Sequence, residues 1–292
     1  MRTTIRSLSA LIAGVPTADG AGVKLRRTLG GPGRQRVDPF LLFDEFYSDR
    51  PEDYLAGFPA HPHRGFETVT YMLEGRMRHE DHLGNRGELE PGGAQWMTAG
   101  RGIIHSEMPL QESGRMRGFQ LWLNLPAAEK MQPAAYRDLP ASALSWFTRR
   151  DGVALKPIAG RIAFDGREIA GPVNPLPGMK RTDPLYVDIA LPAATSVELS
   201  LPEGHSALVY LYEGDAVVGP PDASRPLPPR DAAVLGAGTA IRLAAPVAAA
   251  RILLIAAAPL AEPVVQHGPF VMNTESEVLQ AINDFRAGRL VA

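Results

Sequence analysis

The amino-acid sequence predicts an all-β protein of two β-barrel domains, followed by a short C-terminal helix. Three observations carry this prediction. The 292 residues include 29 glycines and 27 prolines, which implies many turns and short elements. Segments rich in β-branched and aromatic residues lie between these turn signals. Two landmarks of the first half recur in the second half, which indicates a duplicated domain.

The composition excludes several classes of partner and of metal site. Hydrophobic residues make up 45% and charged residues 21% of the chain, a balance typical of a globular protein with packed cores. The formal net charge is −2, so the charge balance does not point to nucleic acid or an anionic membrane. Because there are no cysteines, any metal must bind nitrogen and oxygen ligands. We find no signal peptide and no apolar run of membrane-spanning length, and we therefore expect a cytoplasmic location.

The strands of the first half are separated by clear turn signals. The segment FETVTYML, at residues 66–73, is rich in β-branched and aromatic residues, and Gly75 marks the turn after it. Further turns are predicted at residues 83–87, 91–93 and 100–102, with short strands between them. Strands this short at this spacing predict a β-sandwich or a barrel.

The second half repeats landmarks of the first. Two pairs of segments match at offsets of 139 and 138 residues: residues 71–75 with 210–214, and residues 96–100 with 234–238. Two landmarks at nearly one offset predict a duplicated barrel, with a linker near residues 126–140. We therefore expect a first domain at residues 1–134 and a second domain at residues 135–292.

A short amphipathic helix is predicted at residues 275–288, within the second domain. Thr274 followed by Glu277 has the spacing of a capping box. The apolar residues that follow recur at helical spacing: Val278, Ile282 and Phe285. Gly288 is a suitable end. The small apolar stripe favours a helix that docks onto a barrel over a helix that binds a partner protein.

Two short motifs carry the chemistry of the chain. Residues i and i+2 of a strand point to the same face, so His61 and His63 can direct two imidazoles to one point inside a barrel. His105 and Glu107 repeat this spacing with a histidine and a carboxylate. Two such pairs on facing strands supply three nitrogens and one oxygen, a set that suits a divalent transition metal. We therefore predict one mononuclear metal site.

The carboxylate of this site has two candidates. Glu67 has the same strand parity as His61 and His63, and the spacing His-x-His-x₃-Glu can itself form a metal site. Spacing alone does not choose between Glu67 and Glu107.

The other histidines receive separate interpretations. Five of the seven histidines lie between residues 61 and 105, which supports a site in this region. His79 and His82 lie in a charged stretch next to a turn, which we interpret as a solvated strand end. The alternative is that one of them borders the pocket. His205 and His267 are isolated and are interpreted as surface or hydrogen-bonding residues.

Five motifs along the chain form a specific pattern. They are HPHRGFETVTYMLEG (residues 61–75), LGNRG (83–87), PGGAQWMTAGRGIIHSEMP (91–109), QLWLNLP (120–126) and HGPFVMNT (267–274). The sequence thereby resembles the pirin family of the cupin superfamily over nearly its whole length. The resemblance implies a bicupin, two jelly-roll barrels with one iron-type metal in the N-terminal barrel. Carried over by motif, the ligands are His61, His63, His105 and Glu107, so the resemblance prefers Glu107 to Glu67.

The second barrel is expected to bind no metal. The repeat offset of 139 maps the four ligand positions onto residues that are poor metal ligands: Ser200, Pro202, Ala244 and Pro246. We therefore expect this barrel to serve packing.

The resemblance also implies a function. Members of the pirin family have been assigned quercetin 2,3-dioxygenase activity, so we expect an oxidoreductase that cleaves a flavonol with O₂. Fe²⁺ is the expected metal, and the same ligands also accept Ni, Mn, Co, Cu or Zn. Glu107 is the expected catalytic residue, as the acceptor of the flavonol hydroxyl proton. The expected apolar neighbours of the substrate are Phe66, Met97, Phe119 and Trp122.

A metal- or redox-sensing regulatory protein is the alternative function. Eukaryotic pirins are described as transcriptional co-regulators, and bacterial relatives as modulators of metabolic enzymes. In this case the oxidation state of the ion would change a surface that contacts a protein partner. The near-neutral net charge argues against direct DNA binding but not against protein binding.

Overall fold

The computed structural model describes residues 3–31, 36–173 and 182–292. In this part of the chain the sheets are antiparallel, and they confirm the all-β prediction. The strands of the first half are β1 (Leu8–Ile12), β2 (Val15–Asp19), β3 (Val23–Leu29), β4 (Phe40–Ser48), β5 (Phe58–His63), β6 (Phe66–Glu74), β7 (Met77–Asp81), β8 (Arg86–Leu89), β9 (Ala94–Thr98), β10 (Ile103–Pro109), β11 (Met116–Asn124) and β12 (Ala135–Leu139).

The second half continues with short strands and ends in a helix. Its elements are β13 (Phe147–Thr148), β14 (Ala154–Ala159), β15 (Arg161–Phe164), β16 (Arg167–Ala170), β17 (Leu185–Leu191), β18 (Thr195–Ser200), β19 (Ser206–Gly214), β20 (Val217–Val218), β21 (Arg225–Pro226), β22 (Ala232–Leu235), β23 (Ala240–Ala245), β24 (Ala250–Ala257), β25 (Val265–His267), β26 (Phe270–Met272) and α1 (Glu275–Arg286). Three single turns of 3₁₀ helix lie at Pro51–Asp53, Ala127–Glu129 and Ala141–Ala143.

The chain forms two compact units that exchange their terminal segments. The N-unit consists of Val15–Ala143 and Leu260–Ala292, and the C-unit consists of Met1–Gly14 and Leu144–Pro259. These units differ from the contiguous domains predicted at residues 1–134 and 135–292. The reason is that strand pairing is not local in sequence.

Three contacts show to which unit these segments belong. β1 pairs with β22 of the C-unit, with Ile12 opposite Ala232. β12 pairs with β9 of the N-unit, with Arg137 opposite Trp96. The helix α1, predicted as part of the second domain, docks on the N-unit, where Asp284 forms an ion pair with Arg64 at 2.8 Å.

The two larger sheets of the N-unit pack face to face, and β25 and β26 form a further two-stranded sheet in this unit. The seven-stranded sheet has the order β12-β9-β6-β11-β4-β3-β2, and the four-stranded sheet has the order β5-β10-β7-β8. Buried side chains from both sheets meet between them: Val23, Phe46, Met72 and Met116 from the first, and Met77 and Leu89 from the second. The predicted barrel is therefore a sandwich of two separate sheets.

The C-unit repeats this arrangement. Its seven-stranded sheet has the order β1-β22-β19-β24-β17-β14-β13, and its four-stranded sheet has the order β18-β23-β20-β21. The repeated landmarks occupy matching places. Residues 71–75 include the end of β6, which lies between β9 and β11, and residues 210–214 include the end of β19, which lies between β22 and β24. Gly75 and Gly214 both turn the chain there with positive φ, at 86° and 78°.

The C-terminal helix agrees with its predicted start. Thr274 is the N-cap, and both halves of the capping box with Glu277 are present. The helix ends at Arg286, two residues before the predicted end at Gly288. Its buried residues are Val278 and Ala281, whereas Phe285 is 42% exposed. Among the described residues, the helical part of the chain holds no segment long and apolar enough to span a membrane.

Candidate metal centre

Two neighbouring strands of the four-stranded sheet bring three histidines together. β5 carries His61 and His63, and β10 carries His105 directly opposite His61 in the ladder. Alternate residues of β10 are buried, so His105 and Glu107 point to the inner face of the sheet. The predicted i, i+2 geometry thus holds on both strands.

The three imidazoles form one compact group. The centroid of the His61 ring lies 4.7 Å from that of His63 and 4.3 Å from that of His105, and the His63 and His105 centroids are 5.0 Å apart. One nitrogen from each ring lies within 4.8 Å of the corresponding nitrogens of the other two. His63 and His105 are each 2% exposed, and His61 is half-buried.

The nitrogens of this group are suited to a metal ion. Among the described residues, His63 Nδ1 and His105 Nε2 are buried without a hydrogen-bond partner. A buried polar atom left unsatisfied costs about 1–3 kcal/mol, and a coordinated cation would remove this cost. His61 Nδ1 lies 2.8 Å from the carbonyl oxygen of Pro59, to which it can only donate, so Nε2 is left with a lone pair.

Burial keeps the imidazoles of His63 and His105 neutral. Desolvation lowers the pKa of His63 and of His105 well below the usual value, and the neighbouring histidines lower it further. Neutral imidazole is the form that binds a metal, because protonation occupies the lone pair. The donor set therefore fits a divalent transition metal.

Glu107 lies on the same face but outside the close group of three. Its side chain is buried, and Thr70 Oγ1 of the facing sheet lies 3.1 Å from Glu107 Oε1. The same hydroxyl lies 2.5 Å from Gln120 Oε1. Thr70 of β6 thus contacts the carboxylate across the sandwich, and Gln120 of β11 shares the single hydrogen of the same hydroxyl.

Glu67 lies on a different face, and the parity assigned to it from the sequence is wrong. β5 ends at His63, and the chain turns at Gly65, with φ +92°, before β6 begins in the other sheet. Parity cannot be counted through such a turn. Within β6, Glu67 is an odd number of residues from Thr70, so its side chain points away from Glu107 and instead accepts a hydrogen bond from Thr98 at 2.7 Å.

His79 is a site neighbour that the sequence prediction placed at a solvated strand end. It is 2% exposed, and its Nδ1 lies 3.3 Å from His105 Nδ1. The solvated interpretation holds only for His82, which is exposed. Strand alternation contained the missing signal, because His79 shares its parity in β7 with the core residue Met77.

Two of the four predicted apolar neighbours lie beside the histidines. The His63 ring has its centroid 5.1 Å from that of Phe66 and 5.2 Å from that of Trp122. Met97 packs in a separate cluster with Ala99 and Ile103. Phe119 faces the other side of its sheet and stacks on Phe43 and Tyr71.

The comparisons with known proteins agree with this architecture. The Pirin family profile matches residues 22–123, and the profile of the Pirin C-terminal cupin domain matches residues 186–291. The chain belongs to the pirin family. The predicted resemblance and the bicupin fold are thereby confirmed.

Individual relatives of this pirin cover nearly its whole length. A protein of Pseudomonas aeruginosa named "Putative quercetin 2,3-dioxygenase" is 51% identical over 99% of this chain and 99% of its own length. A pirin-like protein of Caulobacter vibrioides is 48% identical over 98% of this chain and 99% of its own length. The crystal structure of quercetin 2,3-dioxygenase from Acinetobacter baumannii is similar with a TM-score of 0.86 and 30% identity, over 99% of this chain and 100% of that chain.

The chemistry open to this pirin follows from the site. Three imidazoles converge, a carboxylate lies two residues after His105 on the same face of β10, and two aromatic rings line the His63 side. This combination suits the binding of a divalent metal ion beside an apolar, aromatic wall.

Proposed function

We propose that this pirin is a metal-dependent dioxygenase of the quercetin 2,3-dioxygenase type. The observation that carries the proposal is the group of three imidazoles with buried, unpartnered nitrogens at His63 and His105. The names of the Pseudomonas relative and of the Acinetobacter structure support the choice of reaction. We propose His61, His63, His105 and Glu107 as ligands of one divalent transition metal, with Fe²⁺ preferred and Ni, Mn, Co, Cu or Zn as other ions that this set accepts.

The side chains of this chain have distinct roles in the proposed reaction. When bound, the metal supplies Lewis-acid polarisation of the flavonol oxygens. Phe66 and Trp122 pack against the flat ring of the substrate beside His63. Glu107 accepts the proton of the flavonol hydroxyl on its carboxylate, which Thr70 orients. Cleavage of the ring with O₂ then releases carbon monoxide and a ring-opened ester.

The proposal also covers the substrates, the partners and the location of the protein. We propose a flavonoid-like aromatic molecule and O₂ as its substrates, without nucleic acid as a direct partner, and a cytoplasmic location. The net charge of −2 agrees with a small neutral or weakly acidic ligand more than with a polyanion.

Quercetin turnover by the metal-loaded protein tests this function. The protein is stripped of metal, loaded in turn with each of the six ions, and assayed for O₂ uptake and carbon monoxide with quercetin. We expect turnover with at least one ion, and loss of both turnover and bound metal in His61→Ala and His105→Ala. The matched control is His267→Ala, which removes an exposed histidine outside the site.

Two outcomes would contradict parts of the proposal. Metal retention at full stoichiometry in both alanine variants would show that the ligand assignment is wrong. Absence of carbon monoxide with every ion would remove the dioxygenase, and the metal- or redox-sensing protein would then be the function to pursue through its protein contacts.

A further inference from the structure

His79 lies directly behind one of the proposed metal ligands. Its Nδ1 is 3.3 Å from His105 Nδ1, and the two ring centroids are 4.8 Å apart. His79 is not one of the three histidines whose nitrogens converge, and it contacts His105 through the Nδ1 atoms of the two rings. Both side chains are 2% exposed, and water therefore does not compete for this contact.

The contact determines which nitrogen of His105 can bind a metal. In a hydrogen bond between two Nδ1 atoms, one atom carries the hydrogen and the other accepts it. If His105 donates, its Nε2 keeps a lone pair, and Nε2 is the buried atom that has no partner among the described residues. If His79 donated instead, His105 would carry its hydrogen on Nε2, which could then bind no metal.

A polar chain beyond His79 favours the first arrangement. Gln95 Nε2 donates to the hydroxyl of Tyr136 at 2.9 Å, and this hydroxyl donates to Asp138 Oδ1 at 2.7 Å. The Tyr136 ring lies against His79, with centroids 4.5 Å apart. Because the Gln95 amide nitrogen contacts Tyr136 and Asp138, its oxygen is the atom left to face the nearby His79 ring, whose Nε2 has no hydrogen-bond partner among the described residues. Because the Asp138 carboxylate only accepts hydrogen bonds, the Tyr136 hydroxyl must donate to it and accept from the Gln95 amide.

Gly87 leaves room for Tyr136 and Asp138, the residues of this hydrogen-bonded series that lie farthest from His105. A Cβ added at Gly87 would overlap the Tyr136 hydroxyl and the Asp138 carboxylate. Gly87 lies in β8, opposite His79 in the ladder. The absence of a side chain at this position therefore allows the tyrosine and the aspartate to reach Gln95.

We propose that His79 is the positioning residue of His105, and that Gln95, Tyr136 and Asp138 hold His79 as the acceptor of the His105 Nδ1–H. The proposal rests on the metal site proposed above. It assigns to these four residues the selection of the His105 tautomer that presents Nε2 to the ion.

The tautomer of His105 can be measured without any substitution at His79. Two-bond ¹H–¹⁵N correlation spectra of the metal-free, ¹⁵N-histidine-labelled protein distinguish a protonated from an unprotonated ring nitrogen, and His105→Gln identifies the signals of His105. We expect hydrogen on Nδ1 and a lone pair on Nε2. The opposite tautomer would overturn the proposal. This outcome is independent of whether the wild-type protein binds metal or turns over quercetin.

A matched pair of variants tests the hydrogen bond itself. Asn and Leu have nearly the same shape, but only His79→Asn keeps a polar atom where Nδ1 lies. We expect His79→Leu to weaken Co²⁺ binding by about 10- to 100-fold and to change the visible spectrum of bound Co²⁺. His79→Asn should retain nearly the wild-type affinity and spectrum. Equal affinity of wild type and His79→Leu, or equal loss in both variants, would overturn the proposal.

Tyr136→Phe extends the test to the outer chain and serves where His79→Leu does not fold. This change keeps the ring against His79 and removes only the hydroxyl. We expect weaker Co²⁺ binding with an unchanged unfolding midpoint of the metal-free protein. An unchanged affinity would contradict the role assigned to Tyr136 and Asp138.

Discussion

At the residue scale, the position of one carboxylate depends on a turn. His61, His63 and His105 were predictable because strand alternation is a local property of β5 and β10. The choice between Glu67 and Glu107 was not predictable in this way, since Gly65 moves the chain from one sheet to the other. A Cβ on Gly65 would overlap the carbonyl oxygen of Val271, so the turn depends on glycine.

This geometry predicts different effects for the two glutamates. Glu107→Gln should weaken Co²⁺ binding by more than the roughly 100-fold typical of residues that only support a ligand. Glu67→Gln should leave the affinity nearly unchanged, because Gln keeps the acceptor for Thr98 and points away from the histidines. Competition with a chromophoric chelator measures both affinities. The reverse order would make Glu67 the ligand.

The burial of His79 could not be predicted from the charges of its neighbours in the sequence. Its charged neighbours in the sequence suggested solvent, but alternate residues of a strand have opposite environments. His79 therefore lies inside while Glu80 is exposed.

At the element scale, one buried lysine joins the corner between β5 and β6 to two other elements. Lys130 Nζ donates to three acceptors: Gly65 O at 2.7 Å, Asn124 Oδ1 at 2.6 Å and Val271 O at 3.0 Å. The residue is 1% exposed, so this charge has its partners but little water. The corner next to His63 is therefore held by β11 and β26.

Lys130 predicts a pH dependence of stability. Burial lowers its pKa from 10.5 to about 8, so between these values the unfolded chain holds more protons than the folded chain. The free energy of unfolding should therefore rise with pH from about 8 to about 10.5, by up to about 3 kcal/mol, and this lysine should add no pH dependence below about 8, where both states are protonated. Urea unfolding of wild type and Lys130→Met at several pH values measures the difference. A difference independent of pH would show that the lysine titrates normally.

At the scale of the whole molecule, each unit is completed by the distant end of the chain. In the C-unit, Arg6 is 1% exposed and donates to the carbonyl oxygens of Pro202, His205 and Gly238. In the N-unit, the segment from Leu260 onward supplies β25, β26 and α1.

Removal of residues 260–292 should therefore damage the N-unit and its metal site. The deletion removes the carboxylate of Asp284 from Arg64 and the carbonyl of Val271 from Lys130, both beside His63. We expect a lower melting temperature by circular dichroism and loss of bound metal. Asp284→Asn, which removes only the ion pair, should have a smaller effect. A deleted chain with the wild-type melting temperature and metal content would contradict this role of the C-terminal segment.

The sequence by itself determined the all-β class, the repeat, the capping box of the helix and the three histidines. These depend on local periodicity, turn residues and short spacings, which neighbouring residues specify. The tertiary structure alone decided the face of Glu67, the burial of His79 against His105, and the unit that each chain end completes. The physical reason is that sheet pairing joins residues far apart in the chain, as β1 joins β22, and a single turn such as Gly65 reverses which face the following side chains occupy.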